Sequence, residues 1–178
     1  MTDQSAVGDQ GDAMVIGYHA AADRIEKEIG KPMGRVLDVG CNSGAGMRAL
    51  AARWPDAILI GLEPVEHFAR MAGGTRLSVI CCEAEATPWP DGVFDFIFSR
   101  HSLEHCAARA AAIRELTRIL RPGGRIYIQA PVEPGGTRNE LHRCPFVSLE
   151  ELRAAFPGLR ELYWGPQPTV GELILEKP

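Results

Sequence analysis

The chain has 178 residues, 46% hydrophobic and 24% charged, which is typical of a single globular domain. Its formal net charge of -4 argues against broad binding to a phosphate backbone, because such binding generally needs clustered Lys and Arg. The five cysteines form no C-x-x-C pair and no apolar stretch approaches the length of a membrane span, so we expect a cytoplasmic protein with no membrane partner.

The N-terminal part of the chain predicts a flexible tail followed by a helix and a strand. Residues 1–12 are rich in Gly, Asp, Gln and Ser, as in loose tails. Residues 14–29 place apolar side chains at helical spacing, and Gly30 then predicts the end of that helix. The apolar segment 35–39 has the length and composition of a buried strand. We expect residues 13–178 to form one domain.

The middle of the chain alternates between helices and strands. The pattern predicts helices over residues 46–53, 64–72 and 103–120, and strands over 57–62, 77–81, 94–99 and 125–130. Pro64 stands at the first position of its predicted helix, and residues 121–124 predict a turn. Because apolar strands separated by helices are typical of a parallel sheet covered on both faces, we expect that arrangement here.

The pattern changes near the C-terminus. Residues 148–156 predict a helix in which Ser148 is the N-cap and Glu151, three residues later, forms a capping box. Two further strands are predicted over 159–164 and 169–176. Only four residues connect them, too few for a helix, so these two strands must be antiparallel. The whole chain therefore predicts an α/β domain that ends in an antiparallel hairpin.

The loop after the first strand, Asp38-Val-Gly40-Cys-Asn42-Ser-Gly44, is the expected ligand site. Open parallel sheets bind ligands at the carboxyl ends of their strands, and glycines there allow a close approach to the backbone. The loop lacks the G-x-G-x-x-G spacing of a dinucleotide site and the G-K-[ST] of a P-loop. Asp38 disfavours a pyrophosphate and favours a cationic ligand. S-adenosylmethionine fits, because it carries an ammonium and a sulfonium but no phosphate.

Acidic residues also follow the next two strands. Glu63 ends the second strand and is predicted to accept hydrogen bonds from both hydroxyls of a ribose. Glu83 follows the third strand and is predicted to accept a bond from an adenine amino group, with the Ala84 backbone beside the ring. Glu85 is an alternative to Glu83 in this role. Trp89 either covers the adenine or packs in the core.

Four segments together resemble the class I S-adenosylmethionine-dependent methyltransferase superfamily, in particular its small methyltransferase-domain proteins. They are VLDVGCNSG (36–44), GLEP (61–64), EAEATPWPDGVFDFIFSRHSLEH (83–105) and LRPGGRIYI (120–128). Asn42 stands where Gly is usual, but Asn also tolerates positive φ.

The resemblance implies a Rossmann-like three-layer sandwich. Its seven-stranded, mostly parallel sheet would have the order 3-2-1-4-5-7-6 and an antiparallel C-terminal strand. The implied cofactor is S-adenosylmethionine. The implied cofactor-binding residues are Asp38, Gly40, Asn42, Gly44, Glu63, Pro64, Glu83, Ala84 and Ser99.

The segment after the fourth strand is expected to lie beside the transferable methyl group. His101, Glu104 and His105 spell H-x-x-E-H, which also occurs in a class of zinc proteases, but this chain is too short for those enzymes. The segment also resembles the E-x-x-E-H segment of ubiquinone-type O-methyltransferases and small-RNA 2′-O-methyltransferases, where it is associated with a divalent metal. We assign no metal from the sequence. Two alternatives stay open: a metal held with His142 as a fourth ligand, and a purely structural role for Glu104 and His105.

The predicted catalytic residues are His101 and His105. Methyl transfer is an in-line displacement in which the enzyme chiefly positions the nucleophile. A histidine can in addition remove a proton from a hydroxyl or an amine, and His101 is the better candidate. Cys41 and Cys106 are predicted to be packed thiols. The loop after the fifth strand either shapes the substrate pocket or is an exposed polar loop. Its candidate residues are Arg138, Asn139, His142 and Arg143.

The expected activity is methyl transfer to an oxygen or nitrogen atom of a small molecule. A nucleic-acid methyltransferase of the 2′-O-ribose type is less favoured, and a catalytically silent cofactor-binding or interaction domain stays open. The [DNS]-P-P-[YFW] of amino-directed DNA enzymes and the Tyr-x-x-x-Lys of short-chain dehydrogenases are absent from the sequence. With only about twenty residues between the fifth strand and the terminal elements, the cleft is either open to a bulky acceptor or completed by a second subunit in a homodimer.

Overall fold

The structure is a computed structural model that describes residues 5–73, 77–136 and 139–178, with side chains described from residue 14 onward. The elements are α1 Ser5–Ile29, β1 Gly34–Val39, α2 Ala45–Arg53, β2 Ala57–Leu62, α3 Glu66–Gly73, β3 Ser78–Ile80, β4 Phe94–Arg100, a 3-10 helix Leu103–His105, α4 Arg109–Ile119, β5 Leu120–Pro131, α5 Leu149–Ala154, β6 Arg160–Pro166 and β7 Val170–Glu176. Among the described residues, no helix is long and apolar enough to cross a membrane.

Within the described residues, seven strands form one sheet in the order β3-β2-β1-β4-β5-β7-β6. β1 pairs in parallel with both β2 and β4. β7 pairs antiparallel with both β5 and β6, and the Gln167 N–H donates to the Val170 carbonyl across the connecting turn at 2.8 Å. The predicted strand order and the antiparallel hairpin are therefore confirmed. Because strand order reverses between β1 and β4, a crevice is expected at their carboxyl ends.

Helices cover both faces of the sheet, as predicted. Leu37 and Ile97 pack with α4 on one face, whereas Val36 and Phe96 pack with α1 and α2 on the other. Neighbouring residues of a strand point to opposite faces, so strands buried on both faces need apolar residues at nearly every position. This requirement explains the continuous apolar runs in the sequence. Packing on both faces of the sheet holds the carboxyl ends of β1, β2 and β4 in one layer.

Helix α1 begins earlier than predicted. The sequence predicts a helix from residue 14, but the structure begins α1 at Ser5, so the segment 5–12 of the predicted tail is helical. Gly8 and Gly11 lower the helix propensity of this segment, which explains why composition predicts a tail. A helix that has already formed on the sheet extends at low cost, because only nucleation is unfavourable. The division of the chain at residue 12 stays a prediction.

The predicted helix 103–120 is interrupted. A 3-10 helix ends at His105, Cys106 is extended with φ -62° and ψ 140°, and α4 begins only at Arg109. The Ala108 N–H donates to Glu85 Oε1 at 3.0 Å, which satisfies one of the amides at the start of α4. Leu103 and Ala112 are both buried on either side of the break. The apolar spacing therefore continues across the break, and periodicity alone predicts one helix.

Two other boundaries differ from the prediction. Residues 121–124, predicted as a turn, lie within β5, because Leu120 pairs with Phe94 and an irregularity between Phe94 and Phe96 absorbs the change in register. Helix α3 begins at Glu66 rather than at Pro64. By contrast, the predicted N-cap of α5 is confirmed.

At that cap, Ser148 Oγ accepts the Glu151 N–H at 3.1 Å. Glu151 Oε2 accepts the N–H of Val147, rather than of Ser148, at 2.6 Å. The side chain therefore satisfies an amide one residue earlier than a standard capping box does.

Candidate active site

The loop between β1 and α2 has left-handed backbone at alternate residues. The φ angles of Gly40, Asn42 and Gly44 are +73°, +50° and +78°. Asn42 thus adopts the conformation expected for an Asn that replaces Gly. The N–H groups of Gly40 and Cys41 both donate to the Leu62 carbonyl, at 2.8 and 3.1 Å. These bonds hold the loop against the carboxyl end of β2.

Two glycines of this region are required by close packing. A Cβ on Gly40 would lie 2.6 Å from Ser102 Oγ, and a Cβ on Gly46 would overlap the ring of Tyr18. Ser102 Oγ in turn donates to the Val39 carbonyl at 2.5 Å. The loop is therefore enclosed between the residues that follow β4 and the face of α1.

Glu63 lies at the carboxyl end of β2 and contacts the loop directly. Its Oε2 accepts the Asn42 N–H at 2.8 Å and its Oε1 accepts the Val65 N–H at 2.9 Å. The second bond shapes the turn that contains Pro64 and delays the start of α3. A carboxylate has about four lone-pair positions, so two more hydrogen bonds can be accepted here. The predicted ribose contact thus fits the geometry, with the exposed Pro64 next to it.

Asp38 is fully buried beneath Tyr18 of α1. Both carboxylate oxygens lie 3.2 Å from the Tyr18 hydroxyl, which donates to them. Burial raises the pKa of Asp38 to about 7, the hydrogen bond from Tyr18 opposes that rise, and the charge of Glu63 adds to it. The sequence analysis missed Tyr18 as a site residue. The only sequence signal for such a role is that Tyr18, which carries a polar hydroxyl, lies on the same buried face of the helix as Ala21 and Ile25.

At the end of β3, the structure separates the two candidate acids. Glu85 Oε1 accepts the Ala108 N–H, so this side chain holds the start of α4. Glu83 is exposed and Ala84 is buried beside it. Glu83 is therefore the better candidate for an adenine contact. Trp89 packs edge-to-face on Phe94 with ring centroids 4.9 Å apart, which favours the packing alternative for that residue.

The end of β4 presents one buried and one accessible polar side chain. Ser99 is 1% exposed, and its Oγ has no hydrogen-bond partner among the described residues. His101 has a left-handed backbone (φ +50°), and its N–H donates to the Gln129 carbonyl at 2.9 Å. The His101 side chain is 37% exposed, and its Nδ1 lies 3.4 Å from Oε1 of the buried Glu104. The histidine can therefore face a ligand while a carboxylate lies behind it.

The loop after β5 contacts the 3-10 helix. His105 Nδ1 lies 3.0 Å from the Leu141 carbonyl, and the rings of His105 and His142 have centroids 4.9 Å apart. His142 Nδ1 lies 2.5 Å from Glu133 Oε1. The sequence analysis missed Glu133, because nothing in the sequence around it indicates that it meets a histidine nine residues later.

The other candidate residues of this loop contribute less. Asn139 Nδ2 lies 3.2 Å from His142 Nε2, Arg143 is exposed, and Arg138 lies outside the described residues. Cys41 and Cys106 are buried, as predicted, and burial raises the pKa of both thiols well above the ordinary value.

Comparisons with known proteins agree with this geometry. A family model described as "Methyltransferase domain" matches residues 37–128. Malonyl-[acyl-carrier protein] O-methyltransferase from Herminiimonas arsenicoxydans is 34% identical over 122 residues, which are 68% of this chain and 45% of that protein. Chloroplastic tocopherol O-methyltransferase from Arabidopsis thaliana is 34% identical over 110 residues, which are 58% of this chain and 32% of that protein. The chain therefore spans less than half the length of these relatives.

Solved structures share the fold. A Haloferax volcanii methyltransferase in complex with the Trm112 activator superposes with a TM-score of 0.78 at 19% identity, over 97% of this chain and 96% of that chain. Phosphoethanolamine N-methyltransferase 2 from Haemonchus contortus, solved in complex with S-adenosyl-L-methionine, gives a TM-score of 0.77 at 15% identity, over 90% of this chain and 52% of that chain.

Proposed function

Because the chain belongs to the class I S-adenosylmethionine-dependent methyltransferase family, we propose that it transfers a methyl group from S-adenosylmethionine to an oxygen or nitrogen atom of a small-molecule acceptor. The observation that carries the proposal is the contact between Glu63 and the glycine loop at the point where strand order reverses. A carboxylate next to a backbone that a ligand can approach closely supports the proposal, because such a carboxylate can accept the hydroxyls of a ribose.

The residues at this crevice fit the methyl donor of the family. Glu63 has lone pairs left for two ribose hydroxyls. The exposed Glu83 can accept the adenine amino group beside Ala84. Asp38 can accept the donor's ammonium, which would take the place of the Tyr18 hydroxyl on the carboxylate. All of these groups lie at the carboxyl ends of β1, β2 and β3.

When bound, S-adenosylmethionine supplies an electrophilic methyl group, which would pass in line to the acceptor atom as its bond to sulfur breaks and S-adenosylhomocysteine is released. The contribution of the chain is positioning and proton removal. Glu104 faces Nδ1 of His101 at 3.4 Å and therefore favours the tautomer with the proton on Nδ1. Nε2 of His101 is then the nitrogen that takes the acceptor's proton. The Nδ1 of His105 contacts the Leu141 carbonyl, which leaves only its Nε2 to accept a proton. We assign the leading role to His101, because it directly follows β4.

The charge of the chain and the names of the tocopherol and phosphoethanolamine relatives favour a small-molecule acceptor. Two relatives are named as O-methyltransferases, and a third, 26% identical, is named phosphoethanolamine N-methyltransferase 1 from Arabidopsis thaliana. A net charge of -4 does not favour a polyanionic acceptor.

Calorimetric titration followed by an acceptor screen tests the proposal. We expect S-adenosylmethionine and S-adenosylhomocysteine to bind and NAD to give no binding heat, and we expect release of S-adenosylhomocysteine with an alcohol, carboxylate or amine acceptor. Tight NAD binding without a response to S-adenosylmethionine would contradict the cofactor assignment. Methylation of RNA but not of the small molecules would indicate the 2′-O-ribose alternative. Cofactor binding with no turnover on either class would indicate a silent domain.

The affinity for S-adenosylmethionine is expected to fall as the pH is lowered, by about tenfold between about pH 7.5 and pH 6. The ammonium binds the ionised form of Asp38, whose pKa in the free protein is raised by burial to about 7. Protonation of Asp38 therefore competes with binding as the pH falls through that value, whereas above it the affinity is fully present. Calorimetric titration across this range measures the effect.

Tyr18→Phe provides the matched comparison for this pH dependence. The substitution removes the hydrogen bond that lowers the pKa of Asp38, so the midpoint of the pH dependence should move to higher pH. An affinity that does not change with pH in either protein would show that the ammonium does not bind Asp38.

A further inference from the structure

We propose that Glu104, His105 and His142 bind one divalent transition-metal ion beside His101. Each of the three residues offers one ligand atom, and these atoms all lie within 4.8 Å of one another. Small side-chain rotations would bring them onto a single ion. The cluster directly follows Ser102, which contacts Gly40 of the glycine loop, so it borders the crevice at the carboxyl end of β4.

The buried carboxylate of Glu104 is the first observation that indicates a cation. Glu104 is 0% exposed, and neither of its oxygens accepts a hydrogen bond in the described part of the chain. The Nδ1 of His101 lies 3.4 Å from Oε1, and none of the described residues donates a hydrogen bond to Oε2. An ionised carboxylate that is buried without partners is costly, and buried charges are usually paired or coordinate a metal. A bound cation at Oε2 would satisfy this group.

The orientation of the two imidazoles is the second observation. The Nδ1 of His105 contacts the Leu141 carbonyl at 3.0 Å, and the Nδ1 of His142 contacts Glu133 Oε1 at 2.5 Å. Both acceptors favour a proton on Nδ1 and leave the lone pair on Nε2. A histidine that binds a metal almost always donates its other N–H to a carboxylate or a backbone carbonyl in this way. Both histidines therefore have the outer contacts of metal ligands.

The protein backbone holds the two halves of the cluster together. The Cys144 N–H donates to the Glu104 carbonyl at 3.0 Å, and the Glu133 N–H donates to the Phe146 carbonyl at 2.7 Å. These bonds fix the loop that carries His142 against the 3-10 helix. Asn139 Nδ2 lies 3.2 Å from His142 Nε2. Because an amide NH₂ group donates hydrogen bonds, Nε2 is the acceptor in this contact, in agreement with a proton on Nδ1. On binding, the metal would displace the Asn139 amide.

The donor set selects the kind of metal. Two imidazoles and one carboxylate suit Zn²⁺, Co²⁺, Fe²⁺ or Mn²⁺, whereas Mg²⁺ and Ca²⁺ prefer oxygen ligands throughout. Three protein ligands leave at least one coordination position open, as in catalytic rather than structural sites. An acceptor oxygen bound at that position would lie near His101. The binding of an acceptor by the metal rests on the proposed function, but metal binding itself does not.

Titration of the chelator-treated full chain with CoCl₂, followed by visible absorption, tests the site. We expect one ion per chain and ligand-field bands of a nitrogen and oxygen site. His142→Gln should weaken binding by more than about 100-fold, because it removes the imidazole ligand. Glu133→Gln should weaken it by about 10- to 100-fold, because a neutral amide accepts the Nδ1 proton of His142 less strongly than a carboxylate does. His67→Gln, an exposed histidine on α3, is the matched control and should bind as the unmodified chain does.

Each outcome decides the proposal. If the unmodified chain does not bind Co²⁺, or if His142→Gln and Glu133→Gln bind it as tightly as the unmodified chain, the site does not exist. Thermal melting followed by circular dichroism identifies variants that fail to fold, and Cys81→Ser excludes Co²⁺ bound through this exposed thiol. Calorimetry with S-adenosylmethionine on the same samples separates the two proposals. Cofactor binding without Co²⁺ binding overturns the metal site alone, and the reverse result overturns the proposed function alone.

Discussion

Glu63→Ala is expected to weaken the binding of S-adenosylmethionine by about 100-fold, measured by calorimetric titration. The substitution removes the carboxylate that we assign to the two ribose hydroxyls. A hydrogen bond to a charged group contributes about 1.5–3 kcal/mol, and a total loss of about 2.7 kcal/mol corresponds to 100-fold in Kd. The same change leaves the N–H groups of Asn42 and Val65 without their carboxylate acceptor, so the loop is also held less firmly.

Glu66→Ala is the matched control for this prediction. Glu66 is exposed on α3 and pairs with Arg70 one turn further along, at 2.6 Å. Its removal changes the net charge by the same amount, and exposed pairs of this kind contribute little. We expect the affinity of this variant to stay within about twofold of the unmodified chain. Unchanged affinity in Glu63→Ala would contradict the ribose assignment, and equal loss in both variants would indicate a general charge effect.

His101→Asn is expected to lower kcat by about 10²- to 10⁴-fold, the usual contribution of a positioned general base. Asn is chosen because His101 has φ +50°, and Asn is one of the few residues that tolerate this conformation. The variant therefore removes the imidazole with little change to the backbone. The affinity for S-adenosylmethionine should stay unchanged. Initial rates with the acceptor found in the screen, together with calorimetry, measure the two quantities.

His67→Asn, on the exposed surface of α3, is the control for loss of a histidine and should retain full turnover. Added imidazole should restore part of the rate in His101→Asn if the missing group is a proton acceptor. A kcat that does not change would mean that methyl transfer here depends on positioning alone. Loss of cofactor affinity together with turnover would mean that His101 supports the cofactor site instead of acting as a base.

Local signals account for the parts of the fold that were predicted correctly. The strand 57–62 has its predicted bounds, because it is apolar throughout and preceded by Trp-Pro. Asn42 adopts positive φ as expected, since its side chain tolerates a conformation that the tight turn requires. The antiparallel hairpin followed from a connection of four residues, which is a geometric limit rather than a propensity.

Signals that depend on distant partners were not visible in the sequence. The break between the 3-10 helix and α4 arises because Glu85, far back in the chain, holds the amide of Ala108. The same contact engages Glu85 and makes the exposed Glu83 the better candidate for the proposed adenine contact. Helix α3 begins two residues later than predicted, because the Glu63 side chain accepts the Val65 N–H.

The sequence by itself determined the class of fold and the kind of cofactor, because the periodicity of apolar residues and the Asp-x-Gly loop are local properties of the chain. The strand order was implied by the resemblance of four segments to the methyltransferase superfamily. Only the tertiary structure decided how the polar residues around that loop pair with one another. It placed Tyr18 on Asp38 and His142 beside Glu104 and His105. Such pairings depend on which elements pack together, and a buried carboxylate acquires its charge state and its partners only when the chain around it has folded.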